Sequence, residues 1–294
     1  MSHPPRRLGG PAVAAAAMLL SAAAAQAPAG PQYVAAPGGY AGPAQLTAGW
    51  NAITLTDRFD APVGIQIFKV NGSADDATLI AAIAAVVKGE ATPQEVDNDA
   101  VLLAMAAPAG GPVAVPGHPG TAWVNLDPGN YVFASTDMGP DQQPLVTEGL
   151  FTHVEVKAGG NPTTPPDATY QAKLVDFDIE LPRSIQAGPH VWYVHNQGAE
   201  VHHMLVFQVA DGKTPKDVQA WLQGPPGGQP ESGPPPGEFV AATSVLSPGA
   251  AEYTPIALQP GRYVAMCFMS DPMTGKVHVM LGMFVPFTVE AAAN

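Results

Sequence analysis

One cysteine in 294 residues is the first scarcity of this chain. It excludes an internal disulfide, so the thiol of Cys267 must be buried, paired with another chain, or bound to something. Basic residues are also few: 12 Lys and Arg stand against 25 Asp and Glu, for a net charge of −13. That balance argues against nucleic acid and anionic membrane surfaces as partners. Charged residues make up only 13% of the chain, whereas prolines number 33 and glycines 31. Such a composition points to turn-rich β structure and away from a helical bundle. After the first thirty residues no apolar run is long enough to span a bilayer. Paired carboxylates at acid–base spacing, a nucleophile motif and a phosphate loop are all missing, so neither catalysis nor a small-molecule substrate is expected.

What is present begins with an export signal. Arg6 and Arg7 precede the apolar run "PAVAAAAMLLSAAAA", and small residues follow it, the order of a signal peptide over residues 1–27. The chain is therefore expected outside the cytoplasm, whether periplasmic, extracellular or at the cell surface; an uncleaved anchor is the alternative. Residues 28–46 are rich in Gly, Pro and Ala and read as a loosely held arm, and residues 158–169 read as a linker.

Two segments flanking that linker repeat each other. "AGWNAITLTDRFDAPVGIQIFKV" (48–70) aligns without gaps on "AGPHVWYVHNQGAEVHHMLVFQV" (187–209), "LDPGNYVFAS" (126–135) on "LQPGRYVAMC" (258–267), and "TEGLFTHVEV" (147–156) on "MLGMFVPFTV" (280–289). Matching order and spacing predict two copies of one domain, over 47–157 and 170–294. Short Val-, Ile-, Thr- and Tyr-rich runs between Pro-Gly and Asn/Asp-Gly corners predict a two-sheet sandwich for each copy. Each carries a helical insertion, begun at Thr92–Pro93 in the first and at Thr214–Pro215 in the second.

The copies differ at five positions that matter. Cys267 stands opposite Ser135, His278 opposite Leu145, Met283 opposite Leu150, and His202 and His203 opposite Val63 and Gly64. At these five positions every soft or imidazole candidate thus falls in the second copy. A thiolate, two imidazoles and a weak thioether suit one copper ion cycling between Cu(I) and Cu(II). Neighbouring strand residues face opposite ways, so one of His202 and His203 is expected to bind. Spacing from Asn196 favours His202, alternation into Leu205, Phe207 and Val209 favours His203, and His202 is the first choice.

The second copy resembles a cupredoxin of the type 1 (blue) copper family, and the first resembles a degenerate one. "NQGAEVHH" resembles the family's Asn…Gly…His stretch, and Cys267, His278 and Met283 its Cys–His–Met ligand loop. "HVMLGM" is similar to the end of the type 1 loop in copper nitrite reductases. The resemblance implies an all-β chain of two tandem Greek-key sandwiches, with a mononuclear His202–Cys267–His278–Met283 site serving electron transfer to a partner protein not identified by the sequence. It departs from the family in the ten residues between Cys267 and His278, which predict a bulge built on "DPMTG". The reductases and multicopper oxidases need a second copper centre from His-x-His pairs and a His beside the Cys ligand; here Met266 and Phe268 flank Cys267 and no His-x-His occurs. His190 and His195 read as surface or supporting groups, and His118 and His153 have no soft partner nearby. The many methionines keep a copper(I) storage or delivery role open, and a metal-free sandwich is the remaining alternative.

Overall fold

The computed structural model describes residues 30–70, 75–88, 109–114, 119–160, 164–224 and 234–292. The expected signal peptide, the helix start at Thr92–Pro93 and His118 lie outside these residues. The first half runs β1 (Gln32–Ala36), β2 (Gly39–Ala41), β3 (Gln45–Thr47), β4 (Gly49–Asp57), β5 (Val63–Gly64), β6 (Gln66–Val70), helix α1 (Asp76–Val87), β7 (Val113–Ala114), β8 (Gly120–Leu126), β9 (Gly129–Ala134), a 3-10 turn η1 (Leu145–Glu148) and β10 (Phe151–Lys157). The second half runs β11 (Tyr170–Val175), β12 (Asp178–Glu180), β13 (Ile185–Gln186), β14 (Gly188–Asn196), β15 (Leu205–Val209), helix α2 (Pro215–Gln223), β16 (Gly237–Ala242), β17 (Ala251–Leu258), β18 (Gly261–Met266), η2 (His278–Met280) and β19 (Phe284–Glu290).

Alternation sets which faces are buried. In β14, Trp192, Val194 and Asn196 point inward while Tyr193 and His195 stay half-exposed, and in β17 Glu252, Thr254, Ile256 and Leu258 take the inner face. Strands β9 and β18 read differently, because both of their faces are covered. Tyr131 and Phe133 join the first sandwich core while Val132 and Ala134 pack under Leu79 and Ile83 of α1. In the same way Tyr263 and Ala265 join the second core, while Val264 and Met266 pack with Val218 of α2. Each helix therefore caps the outer face of one sheet. Helix α2 starts as the sequence predicts, with Thr214 and Asp217 exchanging bonds in a capping box and Pro215 in the first turn.

The fold is all-β: two Greek-key sandwiches, with two short α-helices among the described residues. One layer of the first is the sheet β3-β10-β9-β6, and one layer of the second is β13-β19-β18-β15-β16. The opposing layers are not separate. They run together as one eight-stranded sheet, β12-β11-β14-β17-β8-β4-β1-β2, joined where Glu252 and Tyr253 of β17 pair with Val124 and Trp123 of β8.

Residues 28–46, read from the sequence as a loose arm, are corrected by the structure. Strands β1 to β3 lie there, with Tyr33, Ala35, Tyr40 and Leu46 buried in the first core, and β1 pairs in parallel with β4. Small residues hide these strands: a run of Ala and Gly with one aromatic every few residues carries little periodic signal. The counterpart in the second half is β11, parallel to β14.

Candidate metal centre

Cys267 follows directly on β18, and Met283 directly precedes β19, its antiparallel neighbour, so strand register puts the two residues side by side. The Cys267 N–H donates to the Met283 carbonyl at 3.3 Å. Between them the expected bulge is a closed hairpin. Ser270 bridges Val277, the Asp271 N–H donates to the Lys276 carbonyl, and the Asp271 carboxylate accepts the Met273 N–H and the Thr274 hydroxyl. The chain returns at His278, whose N–H donates to the Met269 carbonyl at 2.7 Å, and a tight turn then lets the Met283 N–H reach the His278 carbonyl at 3.0 Å. Gly282 sits in that turn at φ +141°, where a Cβ would lie 2.5 Å from the Phe177 carbonyl oxygen. Only glycine fits.

The first half repeats this scaffold with other side chains. Ser135 N–H donates to the Leu150 carbonyl, and Leu150 N–H to the Leu145 carbonyl, the same two bonds at the positions aligned with Cys267, Met283 and His278. Leu145 and His278 each open a 3-10 turn. In place of donors the first half has a hydrogen-bonded knot: the Ser135 hydroxyl and the Gly64 N–H both donate to Oδ2 of Asp137, at 2.9 and 2.8 Å.

His202 comes from the other side, on the stretch after β14. Buried Asn196 shapes that stretch by donating to the Glu200 and Leu246 carbonyls and accepting the Gly198 N–H. His202 itself makes a two-way bridge with Leu246, its N–H donating at 3.1 Å and its carbonyl accepting at 2.8 Å. His202, Cys267 and His278 are all fully buried and their donor atoms lie within 4.8 Å of one another. The Nδ1 atoms of the two imidazoles are 3.0 Å apart, and the Cys267 Sγ is 3.9 Å from one and 3.6 Å from the other. A point about 2 Å from all three exists at the centre of that triangle, within the range of metal–nitrogen and metal–thiolate bonds. The donors fit a single ion.

The far side of each ring fixes its tautomer. His202 Nε2–H donates to Asp176 Oδ1 at 2.7 Å, and His278 Nε2–H donates to Glu200 Oε2 at 2.9 Å. With their protons committed outward, both imidazoles turn lone pairs inward toward each other and the thiol. A proton between the two Nδ1 atoms would make one ring cationic. Burial opposes that, lowering the His202 pKa and, with the charge of His202, taking His278 to about 4. Burial also pushes the Cys267 thiol up to about 11. Asp176 stays ionised: burial works against it, but bonds from the Ala199 N–H, His202 and the Glu200 N–H outweigh that and hold it below the usual carboxylate range. Two Nδ1 lone pairs thus meet at 3.0 Å with a single thiol proton to share between them, a buried arrangement that a cation would relieve.

His203 does not join this group. Its Nε2 accepts the Phe268 N–H at 2.8 Å, tying the stretch of His202 to the residue after Cys267, and burial lowers its pKa to about 4. Met283 is fully buried in the same apolar cluster as Cys267 and Met204. His153 bonds Asp76 at 2.8 Å on the surface of the first half, and His195 bonds Gln197. His190 packs against the ring of Tyr170. Asp176 and Glu200 were not legible as site residues, since no local motif marks a carboxylate that meets its histidine 26 or 78 positions away.

No protein-family model matches the chain, and no curated protein matches it. Among solved structures it is similar to dithionite-reduced auracyanin from Roseiflexus castenholzii, at 20% identity over 42% of this chain and 95% of auracyanin, with a TM-score of 0.27. It is also similar to the Cu-containing nitrite reductase of Thermus scotoductus, at 11% identity over 89% of this chain and 61% of that one, TM-score 0.24. For the copper nitrite reductase of Nitrosomonas europaea the values are 10%, 88%, 92% and 0.25. At TM-scores this low the likeness carries no weight alone. The strand order and the donor geometry stand by themselves: two β-sandwiches, the second with a buried His–Cys–His cluster that could hold one metal ion.

Proposed function

We propose that the protein is an exported mononuclear copper protein that transfers electrons through His202, Cys267 and His278, with Met283 as a weak fourth ligand. One observation carries the reading: two Nδ1 lone pairs and a thiol converge in the buried interior while both Nε2–H groups are held by carboxylates. Bound there, copper would supply the one-electron couple between Cu(I) and Cu(II). The chain supplies rigidity. Ligands clamped by Leu246, Met269 and the Met283 carbonyl have little room to rearrange between oxidation states, which favours fast electron exchange. The electron partner is expected to be another protein. Export rests on the order of basic, apolar and small residues over 1–27; no helix among the described residues is long and apolar enough to cross a membrane. A non-enzymatic role is favoured by the residues flanking Cys267, Met266 and Phe268, neither of which is a histidine that could wire a second copper.

A copper(I) delivery role is the second reading. Met273, 88% exposed at the tip of the ligand hairpin, and half-exposed Met280 beside His278 favour it. The copper-loaded full chain decides between them. Electron transfer predicts a strong thiolate-to-Cu(II) band in the visible, lost in Cys267→Ser, because a hydroxyl cannot replace a soft thiolate. Loading that gives no coloured Cu(II) species, with Cys267 still freely alkylated, would sink the site; tight Cu(I) binding without a stable Cu(II) form would favour delivery.

A further inference from the structure

The strip that holds His202 is itself held by the first half of the molecule. Residues 243–246 lie between the two halves and are bonded on both sides. Toward the site, Leu246 exchanges two backbone bonds with His202, and the Thr243 N–H donates to the Met204 carbonyl. Toward the first half, Val245 is gripped by the side chain of Gln66: its N–H donates to Gln66 Oε1 at 2.6 Å and its carbonyl accepts from Gln66 Nε2 at 3.0 Å. The Gly110 N–H donates to the same carbonyl, and the Ser244 hydroxyl donates to the Ile65 carbonyl. Extended backbone turns the polar groups of successive residues to opposite sides, so Val245 faces the first half and Leu246 faces His202.

Gln66 is 2% exposed and opens β6 among Ile65, Ile67 and Phe68. The position aligned with it in the second half is Leu205. A buried amide in an apolar strand is costly unless both its ends are bonded, and here the two shortest bonds, 2.6 and 3.0 Å, go to one residue of the other half, with a longer one of 3.5 Å to the Gly110 carbonyl of its own half. His202 lies outside any strand, so its main chain depends on that strip. The ring can meet Cys267 and His278 only while Leu246 stays in place.

We infer that Gln66, a residue of the first half, is a positioning residue for the metal site of the second, acting through Val245 and Leu246 on the backbone of His202. This rests on the copper reading above. The first half then sets the geometry of the first ligand.

The test uses the full chain. In Gln66→Leu both ends of the grip are lost; Ser244→Ala removes a neighbouring bond to the same strip, and Thr254→Val removes a seam bond, to the Thr121 carbonyl, that does not touch it. With copper bound, Gln66→Leu should change the thiolate-to-Cu(II) band ratio, the EPR hyperfine splitting and the reduction potential. Ser244→Ala should move them the same way by less, and Thr254→Val should leave them at wild-type values. Without metal, amide hydrogen exchange over residues 200–204 and 243–247 should speed up about tenfold in Gln66→Leu, the equivalent of about 1.4 kcal/mol. Unchanged spectra, potential and exchange in a Gln66→Leu protein that merely melts earlier would overturn the inference, as would equal changes in Thr254→Val. If the wild type shows no copper band, the functional reading fails, and the exchange measurement still decides whether Gln66 holds His202.

Discussion

Two carboxylates decide what the two imidazoles can do. Asp176 is fixed by the Ala199 and Glu200 N–H groups before it accepts from His202, so the ring is oriented by a group that is itself oriented. Gly198 permits this, since a Cβ there would lie 2.3 Å from Asp176 Oδ1 and 2.8 Å from His202 Nε2. Removing such a partner of a metal-ligating histidine weakens metal affinity by about 10–100-fold. Asp176→Ala should show that loss in competition with a copper chelator, and Gly198→Ala should follow it by pushing the carboxylate off the ring. Undiminished affinity in Asp176→Ala would mean that the carboxylate plays no part in holding the ligand. At this scale the aligned segments of the sequence single out Cys267 and His278, which the structure brings together with His202. It left His202 and His203 open, because adjacent residues differ only in direction, and direction here is set by Asn196 and Leu246 from elsewhere in the chain.

The ligand hairpin is the element with the most local design. Ten residues separate Cys267 from His278, yet the excursion is pinned by the Ser270–Val277 bridge and by the Asp271 carboxylate at its tip. Bonds from Thr274 and from the Met273 N–H hold Asp271 below the usual carboxylate range. Asp271→Ala should therefore raise amide exchange across residues 270–277 and leave β18 protected. Equal exchange in both proteins would assign the order of the hairpin to its flanking strands alone. The "DPMTG" stretch made the bulge legible in advance, since Asp followed by Pro and then Gly is turn chemistry. Strands β1 to β3 were not legible, because Ala, Gly and Pro carry no alternation, and what makes them strands is the edges they complete: β1 on β4 with β2 outside it, and β3 on β10.

Across the whole molecule the seam carries a buried acid. Glu252 points into the interior between Val194 and Val124, accepts the Gly111 N–H at 2.9 Å through one oxygen, and finds no partner for the other among the described residues. Burial raises its pKa to about 8, against a bond from Gly111 that lowers it. Between an ordinary carboxylate's 4.5 and that value, the folded chain holds a proton that the unfolded chain lacks. Stability should then fall as pH rises through the window, by up to about 1.4 kcal/mol per pH unit, and be level below it. Glu252→Gln keeps an acceptor for Gly111 and removes the charge, so denaturant midpoints measured from about pH 5 to about pH 8 should lose this slope. A slope of the same size in the variant would place the titrating group elsewhere. The duplication predicted two sandwiches but gave no sign of the shared sheet, because a pairing that involves only two residues of β17 leaves no pattern in either strand.

That shared sheet also sets an order of assembly. Thr121 of β8 and Thr254 of β17 stand 133 residues apart in the chain. As the polypeptide is made from its N-terminus, β8 emerges long before its neighbour, and its outer edge, with Trp123 at the pairing position, has nothing to bond. An open, apolar strand edge invites pairing with other chains. Strand β17 carries Pro255 and an inward acid, features that discourage promiscuous pairing, and β8 has neither. The earlier-made half is thus the more vulnerable one, and it is sheltered only once the half that carries the donors has arrived.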